Sequence, residues 1–491
     1  MALIPLSYRI NNQRPYGLVS SWTYNISAMQ INLLLSRLSI RPAVPVLMLA
    51  LFATYCGTEK QPDYPTPPQT PDWAVSATIY EVNLRQFSEE GTFEAFAEHL
   101  PRLRDMGVDI LWLMPIHPIG EKERKGTLGS YYSIYDYFDV NPEFGTKEDF
   151  RELVRQIHEH EMYVILDWVA NHTSWDAVWT QSHPHIYETD ADGNFIIPPG
   201  TDWTDVIQLD YDNPETHSMM HEALEYWVRE FDIDGYRCDV ADMVPTEFWN
   251  EARQRLDAIK PVFMLAEAET PEHHIHAFEM SYAWETHHHM NQLAAGEITL
   301  LEFEEHLEEN RQRFPDFAYR MQFTSNHDEN SWNGTVFERL GDGVEAFAVL
   351  SATIPGMPLV YNGQEAAMDK RLEFFEKDPI EWGDFPMLDF YTRLLQLNRQ
   401  NRALFNGVHG GKLNRLDTTA DDQVFAFYRE KDGDMVIVLI NLTDRPVAFE
   451  LSSAETQGSY IDLFRDMEVE LGETESFNFA PWEYAVFHTG L

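Results

Sequence analysis

The amino-acid sequence predicts a (β/α)8 barrel with a small subdomain inserted after the third strand and an all-β domain at the C-terminal end. Short apolar strands alternate with amphipathic helices between about residue 73 and residue 400, which indicates parallel strands with covering helices. Asp, Glu, Asn or His follows these strands, and barrel enzymes assemble their sites at that edge. After about residue 401, short β-branched and aromatic segments alternate with turns, which favours a β-sandwich.

The first segment of the chain, 1–56, is predicted to be a signal-peptide region and not part of the fold. Basic residues precede an apolar run at 43–55 that is too short to span a membrane, as in a signal peptide. Met29 is a candidate for the true start of this region. We therefore expect an exported protein, located at the cell surface, in the periplasm or in the medium.

Cys56 ends the apolar run and predicts a bacterial lipoprotein, tethered to the membrane by a lipid on this cysteine; plain cleavage and release is the alternative. The Pro- and Thr-rich segment 57–72 would then be a semi-rigid tether. The other cysteine is Cys238. Two cysteines cannot form a disulfide framework, so the mature fold must rest on its core.

The barrel is predicted at 73–400, and the clearest elements are strands and helices in alternation. The strands are ATIYEV, VDILWLMP, YVILDWVANH, DGYRCDVA, PVFMLAEA, RMQFTSNHD and PGMPLVYNGQE, and the helices are FEAFAEHLPRLRDMG, KEDFRELVRQIHEHEM, HEALEYWVREF and TEFWNEARQRLDAI. Between 173 and 208 the chain has few periodic segments and many turn residues, and a connection of this length is usually functional. We predict a subdomain beside the cleft there, and a C-terminal β-sandwich at 401–491.

The net charge excludes some classes of binding partner, and the aromatic content favours another. The chain has 81 acidic and 35 basic residues, a formal net charge of −46, which argues against nucleic acid or an anionic membrane surface as a binding partner. The acidic residues are scattered, so we hypothesise a solvated surface adapted to high salt. The 13 Trp, 22 Tyr and 30 Phe suit a sugar-binding cleft, although a large core also explains them. We expect a monomer.

Carboxylates at three strand ends are candidates for glycoside hydrolysis, in which retention at the anomeric carbon needs two close carboxyls, a nucleophile and an acid. Asp239 lies in GYRCDVAD after strand four, Glu267 in FMLAEA after strand five and Asp328 in FTSNHDEN after strand seven. With DWVANH after strand three and GMPLVYNGQE at strand eight, these motifs resemble those of the α-amylase family, glycoside hydrolase family 13. The resemblance covers essentially the whole chain after the tether.

The resemblance implies a role for each of these carboxylates. Asp239 would be the nucleophile that forms a covalent glycosyl-enzyme intermediate, and Asp328 would bind sugar hydroxyls and favour an oxocarbenium-like ring. Glu267 would be the acid/base, kept protonated by a less polar pocket until it donates to the leaving oxygen. Glu269 is the alternative, but Glu267 directly follows the apolar strand.

The same resemblance assigns further residues to the substrate. Arg237 lies two residues before Asp239 on the same strand face, where its guanidinium would keep Asp239 ionised. His172 and His327 would contact the sugar at the cleaved bond, and Asp167 would support the site.

The segment GSYYSIYDYFDVNPEFGT resembles the loop after strand two, where Tyr132 would stack under the reacting glucose; the adjacent Tyr131 is the alternative. One departure concerns the residues three and four positions after the nucleophile, which are Asp242 and Met243 where many amylases have Lys-His. The specificity for the leaving-group sugars is therefore open.

No cofactor is required for this chemistry, but the resemblance implies structural calcium in some members, with Asn171 as a ligand. Gln208 stands where such members commonly have a carboxylate, and an amide is a weaker ligand for a hard cation. The His-rich stretches at 273–276 and 286–289 lack the spacing of a metal site and are predicted to lie at the cleft rim or surface.

The sequence thus predicts an α-amylase-type enzyme that cleaves α-1,4-glucosidic bonds in starch or maltooligosaccharides. A transglycosylase or isomerase of the same family is the alternative, because water and sugar compete for the same intermediate. An inactive glucan-binding protein is a further alternative, which the intact set of three carboxylates disfavours.

Overall fold

The computed structural model describes residues 68–490. The predicted signal region 1–56, with Met29 and Cys56, and most of the predicted tether lie outside the described residues. Within 68–490, no helix has the length and apolar character needed to cross a membrane.

Eight parallel strands close into a barrel, so the predicted fold class is confirmed. Each strand pairs with the next along the chain, and β8 pairs with β1 through Ile79 opposite Leu359. The strands are β1 Ile79–Val82, β2 Ile110–Leu113, β3 Tyr163–Trp168, β4 Gly235–Cys238, β5 Phe263–Ala266, β6 Met280–Tyr282, β7 Tyr319–Gln322 and β8 Met357–Tyr361.

Alternation along these strands separates two apolar layers. On β2, Trp112 packs inside the barrel, while Leu111 and Leu113 pack outward under the helices. Both faces are therefore buried, which explains the continuous apolar runs in the sequence. Glu365, just after β8, accepts hydrogen bonds from Tyr80 on β1 and from Arg102, and these bonds hold the closing strands together.

The described residues form helices on the outside of the barrel. Thr146 and Thr299 begin two of the long helices with reciprocal capping boxes. The α-helices are α1 Leu84–Phe87, α2 Phe93–Ala97, α3 Leu100–Met106, α4 Lys147–Glu159, α5 Val178–Ser182, α6 Pro214–Phe231, α7 Thr246–Asp257, α8 Trp284–Ala294, α9 Leu300–Arg313, α10 Val336–Leu340, α11 Val344–Thr353 and α12 Leu388–Gln400.

The excursion after β3 contains a small antiparallel ribbon. His172–Ser174 pairs with Val206–Gln208, and His172 stands opposite Gln208. The ribbon therefore places His172, the last residue of the DWVANH motif after β3, beside Gln208 at the far end of the excursion.

The C-terminal segment forms two antiparallel sheets over a shared apolar core. The larger sheet has the order β9-β10-β11-β16-β13-β14, and the smaller one pairs β12 with β15. The strands are β9 Asn414–Arg415, β10 Val424–Lys431, β11 Asp434–Asn441, β12 Val447–Ser452, β13 Gly458–Asp462, β14 Met467–Leu471, β15 Thr474–Phe479 and β16 Tyr484–His488.

The structure differs from the sequence expectations at the His-rich stretches, which are not confined to the surface or cleft rim. His274 is fully buried and its Nε2 bonds to Ser281 Oγ at 2.8 Å. His287 is also buried, stacked on Phe323 and with its Nε2 3.0 Å from Glu329. Among residues 68–490, no group of three or more His, Cys, Asp or Glu side chains is placed to hold a metal ion.

Candidate active site

The side chain of Arg237 joins three carboxylates at the C-terminal end of the barrel. It lies on β4 and is fully buried. Nη1 donates to Asp167 Oδ1 at 2.8 Å and to Asp239 Oδ1 at 2.9 Å, and Nη2 lies 2.9 Å from Glu267 Oε2. The two carboxylates predicted as nucleophile and acid/base therefore share one guanidinium, because adjacent parallel strands β4 and β5 end beside each other.

Asp239 is largely buried, and its surroundings affect its charge in two directions. Burial raises the pKa of Asp239, Arg237 opposes this rise, and the carboxylates of Glu267 and Asp167 add to it. The attraction of Arg237 alone would keep Asp239 ionised, as expected from the sequence, but in the structure this guanidinium is shared with Asp167 and Glu267. One cation among three carboxylates leaves the cluster negative, so one proton held within the cluster relieves repulsion.

Val240 directly follows Asp239 and adopts a backbone conformation that aims its amide at Glu267. Its φ of 38° is in the left-handed region, which is strained for a β-branched residue. The Val240 N–H donates to Glu267 Oε2 at 2.7 Å. The contacts of Glu267 with Val240 and Arg237 both fall on Oε2, which leaves Oε1 to exchange a proton with a substrate.

The alternative acid/base, Glu269, lies apart from this cluster. Its Oε1 is 2.5 Å from Arg320 Nη2, and its Oε2 accepts a hydrogen bond from the Glu285 N–H. Glu267 contacts the guanidinium that also holds Asp239, and Glu269 does not. The geometry therefore favours Glu267 over Glu269 for the acid/base position.

His327 connects the third predicted carboxylate to the barrel interior. Its Nδ1 bonds to the carboxylate of Glu81 on β1, and its Nε2 lies 3.4 Å from Asp328 Oδ2. Burial lowers the pKa of His327, but attraction by Asp328 and Glu81 outweighs this effect and raises the pKa to about 9. His327 is therefore a cation at neutral pH, and Asp328, about one-third exposed, faces the cleft beside it.

Tyr132 lies on the other side of the His327 ring. Its hydroxyl donates to Asp167 Oδ2 at 2.9 Å, and its ring is stacked on His327 with centroids 5.4 Å apart. Tyr131 is buried instead beneath the guanidinium of Arg85, 4.1 Å from the ring centroid. Of the two neighbours, only Tyr132 is placed to stack under a sugar in the cleft.

Asp167 and His172 are both buried in the floor of the site. Asp167 is fully buried and also accepts from Trp112 Nε1 at 3.1 Å, so it orients Tyr132 and Arg237 and does not face the cleft. Burial lowers the pKa of His172 to about 3, so this imidazole is neutral. Its ring lies 5.4 Å from Trp203 of the excursion.

Asn171 was assigned to calcium by resemblance, and the arrangement around it does not fit a cation. Gln208 Nε2 donates to Asn171 Oδ1 and to Leu209 O, each at 3.0 Å. Asn171 Oδ1 and Leu209 O thus already accept hydrogen bonds from an amide, which competes with any cation for these oxygens. Gln208 thus directs a donor at Asn171 Oδ1, while its own Oε1 has no hydrogen-bond partner among the described residues.

An aromatic wall beside Tyr132 was not predicted from the sequence. Trp332 is 53% exposed on a π-helical turn, Glu329–Asn333, that begins directly after Asp328. Its ring lies 5.2 Å from Phe374, and Phe374 is stacked 6.2 Å from Tyr132. The signal for this wall in the sequence was a Trp four residues after the predicted catalytic carboxylate Asp328.

The departure at 242–243 also has a structural counterpart. Asp242 Oδ1 bonds to His273 Nε2 at 3.0 Å, and Met243 is 37% exposed next to it. These acidic and thioether side chains follow Ala241, whose N–H donates to Glu267 O at 3.1 Å, at the positions where many amylases have Lys-His.

Comparisons with known proteins identify the family of this chain. A family model described as the α-amylase catalytic domain matches residues 75–203 and 201–385, and one described as the maltogenic amylase C-terminal domain matches 416–486. A curated relative, α-amylase 3 of Dictyoglomus thermophilum, is 25% identical over 479 residues, covering 82% of this chain and 90% of its own. A maltogenic α-amylase of Bacillus acidopullulyticus is 26% identical, covering 78% of this chain and 68% of its own.

Solved structures are similar over the same region. A maltogenic α-amylase, AmyB, from Thermotoga neapolitana superposes with a TM-score of 0.77 at 28% identity, covering 85% of this chain and all of that one. An α-amylase from Lactobacillus plantarum gives a TM-score of 0.75 at 30% identity, with the same coverage.

Proposed function

This chain belongs to the α-amylase family of glycoside hydrolases, and on that premise we propose that it hydrolyses α-1,4-glucosidic bonds in maltooligosaccharides or starch with retention of configuration. The observation that carries the proposal is the position of Arg237, which contacts both Asp239 and Glu267. Two carboxyls held at one guanidinium suit a nucleophile and an acid that act on the same bond.

In the first step, a carboxylate oxygen of Asp239 attacks the anomeric carbon while Glu267 transfers its proton to the departing glycosidic oxygen. The bond to the leaving sugar breaks and an ester to Asp239 forms. Positive charge develops on the ring, and the negative cluster around Arg237, together with Asp328, favours it.

In the second step, Glu267 takes a proton from water, and the water oxygen attacks the same carbon. The ester bond breaks and Asp239 leaves as a carboxylate. Tyr132 and His327 would hold the sugar ring through both steps, because they flank the cleft beside Asp328.

The names of the relatives support a substrate of α-linked glucose units. Curated relatives include a maltogenic α-amylase and a cyclomaltodextrinase. Transglycosylation is the second candidate, because a sugar hydroxyl can replace water at the intermediate. The departure at Asp242 and Met243 is the observation that keeps it open.

The test is product analysis of the protein incubated with maltoheptaose, β-cyclodextrin and soluble starch, with Asp239→Asn as the matched variant. We expect short maltooligosaccharides whose first NMR signal is the α-anomer, and none from the variant. Removing a nucleophile of this kind costs at least about 10³-fold in kcat.

Other outcomes would redirect the proposal. Products longer than the substrate would indicate a transglycosylase, and a β-anomer as the first product would contradict retention. Absence of turnover on all three substrates, with glucan binding retained, would indicate a binding protein.

A further inference from the structure

Arg85 lies in the short helix α1, directly after β1, and its charged side chain is almost fully buried. Its Nη1 donates to Gly129 O at 3.0 Å and to Phe374 O at 3.4 Å, and its Nη2 donates to Leu128 O at 3.4 Å. Leu128 and Gly129 belong to the loop after β2, and Phe374 belongs to the segment after β8. One guanidinium therefore bonds to the backbone of both segments.

These two segments carry rings of the aromatic wall formed by Tyr132, Phe374 and Trp332. Arg85 lies over the ring of Tyr131, 4.1 Å from its centroid, and the next residue is Tyr132. The ring of Tyr132 is stacked on that of Phe374 with an angle of 14° between their planes, and Phe374 lies 5.2 Å from Trp332. Arg85 thus fixes the backbone beside two stacked rings that come from different segments.

Neighbouring contacts join the same two segments to each other and to α1. The Leu128 N–H donates to Phe375 O at 3.1 Å, and Gln86 Nε2 donates to Glu373 O at 2.7 Å. Gly126, with a φ of 63°, packs so closely against Phe375 that an added Cβ would collide with it. The spacing of the two segments is therefore set by direct contact as well as by Arg85.

The chemistry of the guanidinium explains why an arginine makes this link. Within the described part of the chain, Arg85 has one ion-pair partner, Glu143, whose Oε2 lies 3.7 Å from Nε. That distance is too long for a hydrogen bond, so the hydrogen bonds of Arg85 go to backbone carbonyls. A planar guanidinium presents several donors in a fixed fork, which an ammonium does not. We therefore expect a lysine here to keep the charge and lose the link between the segments.

We propose that Arg85 is a positioning residue for sugar recognition, which holds Tyr132 and Phe374 at a fixed spacing so that the wall contacts glucose units beyond the cleaved bond. This inference rests on the proposed function, because it takes an α-glucan as the ligand. Among the described residues, Arg85 bonds to backbone carbonyls and not to Asp239 or Glu267. Its loss should therefore weaken the binding of long chains more than that of short ones.

The test is calorimetric titration with maltoheptaose and maltotriose in an Asp239→Asn background, which prevents cleavage of the ligands. Arg85→Lys breaks the link, and Gly126→Ala displaces Phe375 without changing Arg85. Arg429→Lys is the matched control. Arg429 is equally buried and also binds backbone carbonyls of separate segments, Gly411 O and Thr353 O, but it lies on β10 of the C-terminal domain.

We expect Arg85→Lys and Gly126→Ala each to weaken maltoheptaose binding about tenfold and maltotriose binding less than about threefold. Arg429→Lys should leave both affinities unchanged. In a Trp332→Ala background, Arg85→Lys should lose its selective effect on maltoheptaose, because the wall is already incomplete and the two changes are coupled.

Equal weakening for the two chain lengths, or the same selective weakening in Arg429→Lys, would overturn the proposal. A selective effect of Arg85→Lys that persists in full without Trp332 would also overturn it, and so would absence of maltoheptaose binding. Turnover by the protein without the Asp239→Asn change, measured in parallel, tests the proposed function separately. Selective binding of maltoheptaose without cleavage would refute hydrolysis and still support the role of Arg85.

Discussion

Arg237 Nη2 lies 2.9 Å from Glu267 Oε2, and this contact links the predicted acid/base to the guanidinium that also holds the predicted nucleophile. In this arrangement one cation, Arg237, contacts three carboxylates, those of Asp167, Asp239 and Glu267, of which the first two are buried. Its removal should therefore affect both the chemistry and the stability of the site.

For Arg237→Gln we expect loss of about 3–5 kcal/mol of unfolding free energy at pH 7, because buried charges lose their partner. Burial already raises the pKa of Asp239 and of Asp167 in the folded protein, so protons bind more readily to the folded variant. The deficit should shrink as the pH falls towards 4. Urea unfolding at pH 7 and pH 4.5 measures this, with Arg237→Lys as the control that keeps the charge. A deficit that grows in acid would contradict the argument.

The ion pair between His327 and Glu81 predicts an alkaline limit to activity. The pKa of His327 is raised from an ordinary 6.5 to about 9, so its stabilising charge is fully present below pH 6.5 and is lost as the pH rises through about 9. Glu81→Gln removes one of the two anions that raise this pKa, and the alkaline limb of the kcat/KM profile should move to lower pH. A profile between pH 5 and 10 on maltoheptaose tests this, and an unmoved limb would show that His327 does not control it.

The position of Trp332 predicts a binding surface for sugars beyond the cleaved bond. Its exposed ring continues the wall formed by Tyr132 and Phe374. Because sugar faces pack on aromatic rings, Trp332→Ala should raise KM for maltoheptaose about tenfold. KM for maltotriose should change less, and the melting temperature should not change, since the ring is exposed. Trp332→Phe is the control, and an equal effect on both substrates would argue against an extended surface.

Features that depend on residues close together in the sequence could be predicted, and features that depend on residues far apart in the sequence could not. Continuous apolar runs with a polar residue at the end predicted most barrel strands, because parallel strands are buried on both faces. Strand β6, Met280–Tyr282, was not identified because three residues carry no measurable periodicity.

Contacts between residues far apart in the sequence were harder to predict than residues within a local motif. Asp239 and Glu267 could be identified because each directly follows a strand. Glu81 lies 246 residues from its partner His327, and no local pattern marks that pairing. Gln208 was visible as an unusual residue, but only the ribbon pairing places it beside Asn171.

The excess of acidic residues predicts dependence of stability on salt. With a net charge of −46, repulsion between surface carboxylates destabilises the folded state, and molar salt screens it. We expect a higher melting temperature in about 2 M KCl than in dilute buffer, because salt at this concentration screens the repulsion. Sucrose is the control for general stabilisation, because it carries no charge. Ammonium sulfate is a poor control, because sulfate also strengthens apolar burial. Equal stabilisation by sucrose and KCl would remove the electrostatic explanation.

The hydrogen bond from Gln208 Nε2 to Asn171 Oδ1 predicts that the protein does not need calcium at this position. The amide already satisfies Asn171 Oδ1 and Leu209 O, so a chelator has no stabilising cation to remove there. The melting temperature of the wild-type protein should be unchanged by EDTA.

Gln208→Glu replaces the donor with an acceptor and leaves oxygens facing each other, which costs about 1–3 kcal/mol. That set of oxygens suits a hard cation, so millimolar calcium should restore the variant and leave the wild type unaffected. Gln208→Leu, which removes the donor without adding a ligand, should lose stability in the same way and gain nothing from calcium. A wild-type protein that loses stability in EDTA would falsify this account of the site.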